Sequence, residues 1–238
     1  MLTVDSTPLS PTARTTVGRG RERALDDRAE LMAFLAEAPV AHLGVTVGEG
    51  GDEHPLVLPV AFAVDADGPD AGGTLYVHGS VAARWLRGAE GRTVCVTVTE
   101  LDGLVLARSG FHHSVNYRSA VVIGQARIVT DEAERVRAFD LTVDHLVPGR
   151  AATLRPATRK ELAATGLLAV PLVEASMKRR TGDPVDDEAD LDSGVWAGVL
   201  PLRRVAGAPV SAADSHDDVP ADVLAVAAGP AGAQTGAS

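Results

Sequence analysis

Tyr76-Val77-His78-Gly79-Ser80-Val81-Ala82-Ala83-Arg84-Trp85-Leu86 is the most informative stretch of the chain. A β-favouring run ends in small residues and opens a short helix, and Arg84 returns one turn later toward the same end. Free backbone N–H groups at a helix start, the Ser80 hydroxyl and the Arg84 guanidinium describe an anion socket, with phosphate as its guest. The same spacing also fits a plain helix cap at Ser80 beside a solvated arginine.

Working outward, runs rich in β-branched residues recur at 40–47, 55–64, 74–78, 92–99, 104–107, 119–129, 167–174 and 195–205, with Gly, Pro and Asp between them. Helical spacing interrupts them only briefly. Leu31, Phe34, Leu35 and Ala38 form one amphipathic stripe ended by Pro39, and Val136, Phe139, Val143 and Leu146 form another. Shorter helices are expected over 81–89 and 158–165. Many short strands with few helices predict a mainly β fold, an antiparallel barrel or sandwich with flanking helices. The segment 177–193 lacks an apolar period and reads as a loop.

The chain has 238 residues, of which 45% are hydrophobic and only eight aromatic, so Val, Leu and Ala must fill the core. A net charge of −10 repels phosphate backbones and anionic lipid heads, which argues against nucleic acid or membrane as partner. No apolar run is long enough to span a bilayer, and Met1 to Gly18 carries no secretory h-region. The lone Cys95, within a strand pattern, fits a buried inert thiol in a reducing cytoplasm. Residues 1–18 read as an unstructured arm, 19–205 as the folded domain, and 206–238 as a disordered acidic Ala/Gly/Pro-rich tail.

Further chemistry clusters in Phe111-His112-His113-Ser114-Val115-Asn116-Tyr117-Arg118-Ser119, a candidate site wall at a strand entrance. Adjacent histidines point apart on a regular backbone, so no metal is expected there. His42 reads as a core or sheet-face residue. Lys178-Arg179-Arg180 either clamps an anion or balances the acids that follow it. Trp196 opens the last strand, as a core residue or as the neighbour of a planar cofactor. Glycine-rich nucleotide loops, nucleophile elbows and zinc-protease motifs are missing, so any catalysis would reside in a bound cofactor.

Taken together, Tyr76 to Ser80 with Arg84, Leu101-Asp102-Gly103-Leu104-Val105-Leu106-Ala107-Arg108-Ser109, Asn116 to Ser119 and Val195-Trp196-Ala197-Gly198 resemble the pyridoxamine 5'-phosphate oxidase-like flavoproteins. The likeness runs from about Arg19 to Val205 and is greater to the flavin-nucleotide-binding branch that includes the nitroimidazole-resistance proteins. It implies a split β-barrel that dimerises and holds FMN in two clefts between protomers. On that likeness His78, Gly79, Ser80 and Arg84 hold the phosphate, and Leu58, Pro59 and Val60 lie along the ring. Arg118 and Ser119 reach the flavin, and Trp196 stands near the ring.

The implied activity is hydride or electron transfer between a reduced nicotinamide donor and a small organic substrate, with His78, His113 and Lys178 as candidates for substrate orientation or proton supply. Rival readings are a non-catalytic flavin or haem module, with His78 or His112 as axial ligand, and a reductase using the deazaflavin F420. Ala83 stands where relatives commonly carry a hydroxyl. Val57 to Ala61 lacks the cations of true pyridoxamine phosphate oxidases, which argues against vitamin B6 synthesis.

Overall fold

The structure, a computed structural model, describes residues 8–10 and 12–229. In chain order these form β1 (Ala24–Leu25), α1 (Arg28–Glu37), β2 (Ala41–Val47), β3 (His54–Val60), β4 (Phe62–Asp65), β5 (Thr74–Ser80), α2 (Arg84–Ala89), β6 (Thr93–Leu106), β7 (Ser114–Gln125), β8 (Arg127–Ile128), α3 (Glu132–Leu146), α4 (Arg159–Ala164), β9 (Thr165–Pro171), β10 (Ala175–Arg180), β11 (Gly198–Pro201) and α5 (Ala221–Ala228). Two antiparallel sheets result. The first runs β1-β10-β7-β6-β2-β3, with β11 on the far half of β6, and the second runs β4-β5-β9-β8.

The alternation read from the sequence places one face of each sheet inward. Leu43, Val45, Val96, Val98, Ala120 and Val122 of the first sheet share a core with Leu75, Val77, Leu168 and Val170 of the second. Leu31, Phe34 and Leu35 of α1 join that core; each such side chain, fully buried, contributes about 1.5–3 kcal/mol. Asp27 caps α1 by accepting the Ala29 N–H, and the helix stops before Pro39. On its other face the second sheet meets α3 through Tyr76, Leu167, Ala169, Val129 and Ala138. Polar contacts finish that seam: the Tyr76 hydroxyl donates to Glu134, Arg127 pairs with Asp70 and Glu134, and Arg137 pairs with Asp65.

β3 forms the edge of the first sheet and carries Pro55 and Pro59, yet pairs with β2 along all seven residues. β6 and β7 form a long hairpin bent by an irregularity between Leu101 and Gly103. On the outer face of this sheet Val57, Gly44, Cys95 and Ile123 stand in one row, and Pro59, His42, Thr97 and Val121 in the next. Neither row carries a carboxylate, lysine or arginine.

Four expectations need correction. Part of the 177–193 loop is strand: β10 pairs with β7, burying Ala175 and Met177 while Lys178 and Arg180 face out. Its cations masked a period of two. The arm expected over 1–18 is docked where it is described, with Leu9 and Thr15 buried, the Ser10 N–H donating to the Ala175 carbonyl, and Thr12 and Arg14 on Glu174. A single leucine anchors a stretch whose composition is otherwise polar; residues 1–7 and 11 lie outside the described part. Within the tail, α5 forms and Asp222 stands 3.4 Å from Arg150, whereas residues 202–218 are exposed throughout. Residues 230–238 lie outside the described part. The strand expected over 195–205 shrinks to β11.

Candidate functional site

Gly79 and Gly166 face one another across β5 and β9. A Cβ on Gly79 would stand 2.6 Å from Cζ2 of Trp85, and one on Gly166 would stand 2.9 Å from Cδ1 of Leu86. The two glycines therefore form a notch that seats the first turn of α2. Trp85 packs against the core, and its neighbour Arg84 is left exposed at the rim of a cleft.

That cleft measures about 710 Å³ and lies between α2 and the β2–β3 hairpin. Arg84, Arg87 and Arg92 line it, with Trp85, His54 and Leu56. Glu49 and Asp52 line it as well, so cations outnumber carboxylates by three to two. Arg92 reaches Glu53 only at 3.5 Å, with both side chains exposed, and such a pair contributes little. An anion entering here would meet guanidinium groups not firmly committed elsewhere. A groove of about 770 Å³ also follows α3, but its Arg137 is held by Asp65 and it offers Glu132, Asp140 and Asp144 instead.

The other expected phosphate ligands do not line this cleft. The Ser80 hydroxyl oxygen accepts the Ala82 N–H at 3.2 Å, so it closes a turn; Ala83, at the N-cap of α2, makes no side-chain cap. Gly79 lies under the Trp85 ring. His78 is exposed, shares its sheet face with Tyr76, and its ring makes no hydrogen bond among the described residues. Leu58 and Val60 lie opposite Leu43 and Ala41, whereas Pro59 lies opposite His42. The three therefore do not present one surface.

Arg118 is committed elsewhere. Its guanidinium stands 2.6 Å from Glu37, 3.0 Å from Asp102 and 5.4 Å from the Phe34 ring centre, and the two carboxylates hold it more firmly protonated. It ties α1 to the β6–β7 hairpin, away from the Arg84 cleft of the same protomer. Ser119 neighbours Thr99 and Lys178 in register, and the Lys178 ammonium donates to the Arg19 carbonyl at 2.8 Å. Burial pushes the Cys95 thiol up, so the thiolate is disfavoured, in keeping with an inert cysteine.

The second aromatic cluster forms the turn after β6. His113 Nδ1 lies 2.8 Å from the Ser109 carbonyl. His112 Nε2 stands 3.2 Å from Asp187, and its ring meets Phe111 edge-on at 5.1 Å. Arg108 binds Asp186 through its backbone N–H and its guanidinium, each at 2.8 Å. Burial alone would raise the Asp186 carboxyl, but these bonds hold it below the usual range. β11 brings Trp196 to this same end, since Gly198 pairs with Leu106. Phe111 and Trp196 are 91% and 67% exposed.

The expected site residues thus fall into separate places on one protomer. Arg84 lies in the cleft by Arg92 and Thr46, at the Thr93 end of β6; Trp196 and His113 lie beyond its Leu106 end. Sequence reasoning missed Arg87, Arg92 and His54. Arg84 and Arg87 stand three residues apart on one helix face, a spacing that was open to reading.

Such an architecture, two antiparallel sheets closing a barrel beside a helix that edges a basic cleft, defines a split β-barrel. Residues 27–179 match the family model described as pyridoxamine 5'-phosphate oxidase, and the chain belongs to that family. Among solved structures, the flavocytochrome Anf3 from Azotobacter vinelandii is 36% identical, with a TM-score of 0.80 over 91% of this chain and 98% of its own. The FAD and haem binding protein from Mycobacterium smegmatis is 37% identical, with a TM-score of 0.76 over 86% and 97%. A 5-nitroimidazole antibiotic resistance protein from Bacteroides thetaiotaomicron shares the fold at 19% identity, with a TM-score of 0.52 over 65% and 85%. No curated protein matches the sequence. Among the described residues no helix is long and apolar enough to cross a membrane.

Proposed function

We propose that this protein is a flavin-dependent oxidoreductase that works as a two-fold dimer, with the flavin phosphate held at Arg84. The observation that carries the reading is the arginine-edged cleft, on a chain whose full-length relatives are a flavocytochrome and an FAD and haem binding protein. Its volume of about 710 Å³ falls within the roughly 300–1,000 Å³ of ligand pockets. Arg84 neutralises the first phosphate, and Arg87 and Arg92 offer a second anionic position, which favours the dinucleotide FAD over FMN.

A bound flavin supplies hydride and one-electron chemistry at its ring. The chain supplies the rest: Trp85 fixes α2 and so aims Arg84, and Leu56 with the β3 edge gives the cleft an apolar wall. His78, His113 and Lys178 are the groups proposed to orient substrate or supply protons, since imidazoles change charge near neutrality. A reduced nicotinamide is the proposed donor and a small organic molecule the acceptor, in a cytoplasm that suits the lone cysteine. Haem is named for the Mycobacterium smegmatis relative; of the two histidines considered for it, His78 is exposed, and His112 stands against Asp187 and Phe111.

The absorption spectrum of freshly purified protein tests the reading. Two flavin bands that bleach with a reduced nicotinamide are expected, and mass analysis of the released chromophore separates FAD, FMN and F420. A Soret band alone, or a colourless protein that takes up no added flavin, refutes it. Arg84→Ala should weaken flavin binding by about tenfold to a hundredfold, the worth of charge-assisted hydrogen bonds; unchanged affinity removes Arg84 from the site.

A further inference from the structure

We infer that Glu49 and Asp52 are specificity-determining residues of the Arg84 cleft: they accept hydrogen bonds from the hydroxyls and amino group of a nucleoside, and so select FAD over FMN. This deepens the flavin reading above and rests on it. Charges of both signs line this one cleft without neutralising each other. Arg84 and Arg87 stand on α2 and Arg92 just before β6, whereas Glu49 and Asp52 stand on the β2–β3 turn. Among the described residues neither carboxylate makes an ion pair or a side-chain hydrogen bond; only the adjacent Glu53 reaches Arg92, at 3.5 Å. A site shaped for phosphate alone gains nothing from carboxylates, which repel it. Walls of opposite charge, kept apart by a cavity, suit a ligand that is anionic along one part and carries neutral donors along another.

The backbone explains where the two acids sit. Val47 pairs with His54, and the same register carried two residues further sets Glu49 opposite Asp52. Side chains alternate along a strand, so both fall on the face that carries the buried Val45 and the cleft-lining Leu56. The inward row of the hairpin thus runs past the end of the core and finishes in two carboxylates. The Asp52 N–H donates to the Glu49 carbonyl at 3.2 Å, and Gly50 and Gly51, at φ +61° and +96°, supply the two left-handed residues of a type I′ turn. Gly48 admits the Asp52 carbonyl so closely that a Cβ there would stand 2.2 Å from its oxygen. The acids are therefore carried on a tight, pre-organised turn.

Arg84 and Arg87 lie about 4.5 Å apart along the α2 axis, at ~1.5 Å per residue, a step that suits two linked phosphates. FMN ends at its one phosphate. FAD continues through a second phosphate into ribose and adenine, whose hydroxyls and amino group donate. An ionised carboxylate can only accept, and an acidic side chain on a ribose hydroxyl is a general device of dinucleotide sites. FAD gains these bonds, while FMN meets only the repulsion.

The test is the ratio of two affinities. Full-length protein stripped of flavin is titrated with FAD and with FMN, as wild type, as the double variant Glu49→Ala with Asp52→Ala, and as the isosteric Glu49→Gln with Asp52→Asn. The preference for FAD over FMN should fall at least about tenfold in the alanine variant, the worth of one hydrogen bond to a charged group, and in the same direction in the amide variant. Arg84→Ala, by contrast, should weaken both flavins. Both acids are exposed, so melting should match wild type; should the alanine variant melt lower, the amide variant carries the test. An FAD to FMN preference unchanged in the variants overturns the inference and leaves the flavin reading standing. A wild-type protein that binds neither flavin overturns both.

Discussion

Gly79→Ala isolates the step on which the position of Arg84 depends. Gly79 has an ordinary backbone conformation, so an added methyl group acts through space alone. It would stand 2.6 Å from Cζ2 of Trp85, where carbon atoms in good contact keep about 3.5–4.0 Å. The indole must retreat by about 1 Å, against a core to which it is already packed. Overpacking of this kind costs about 1–3 kcal/mol. In a chain of this length 1 kcal/mol lowers the melting temperature by about 2–4 °C, so a fall of about 4–8 °C is expected near the middle of that range. The assay is calorimetry together with tryptophan emission in a Trp196→Phe background, where Trp85 is the sole emitter of the two tryptophans. Emission should move toward that of solvated indole, and Trp85→Leu should cost less in the Gly79→Ala chain than in wild type. Unchanged melting and emission would refute the notch, and with it the claim that glycine at 79 serves helix seating.

Other outcomes follow from the same contacts. His145 is held below the ordinary imidazole value by burial, although its Nε2 lies 2.7 Å from the Ala38 carbonyl and its ring packs on Phe62 at 4.6 Å. The unfolded chain gains a proton near pH ~6.5 that the folded chain resists, so stability should fall as pH drops below ~6.5, and His145→Gln should flatten the melting profile there. Arg137→Ala strips the partner from Asp65, whose side chain is 3% exposed, and should cost about 1–3 kcal/mol in urea unfolding at neutral pH. In wild type that pair holds the Asp65 carboxyl low, so its contribution should persist until pH falls below about 4. Leu9→Ala should cost about 2–3 kcal/mol by the same unfolding measurement; a chain indifferent to it would have no docked N-terminal segment.

The barrel was legible because both of its sheets bury one face against a shared core, and burial of one face writes itself into the sequence as alternation. β2 was found whole, β6 was read as two strands over 92–99 and 104–107, and β7 was read over 119–129 without its first five residues. β10 was not found, since Lys178 and Arg180 occupy its outer face and Arg179 reaches toward Glu30, so only Ala175 and Met177 carry the apolar half of the pattern. Arg84 was legible at the cleft because a helix start after a strand is a local event. The pairing of Arg118 was not legible for the opposite reason: Glu37 and Asp102, which hold it, are remote in sequence, and no local pattern announces such pairing. Gly79 entered the sequence reading as a phosphate ligand implied by the resemblance, and its packing against the Trp85 ring was not legible, since nothing local shows which way that ring turns.

The two prolines of β3 have a bearing on how copies of this chain can meet. Because β2 pairs with β3 without a gap, the N–H groups missing at Pro55 and Pro59 are those that would have pointed away from the sheet. An incoming strand would find its hydrogen-bonding rungs broken at both places, so runaway edge-to-edge growth into fibres is discouraged. The two-fold dimer proposed above would then use a surface other than this edge.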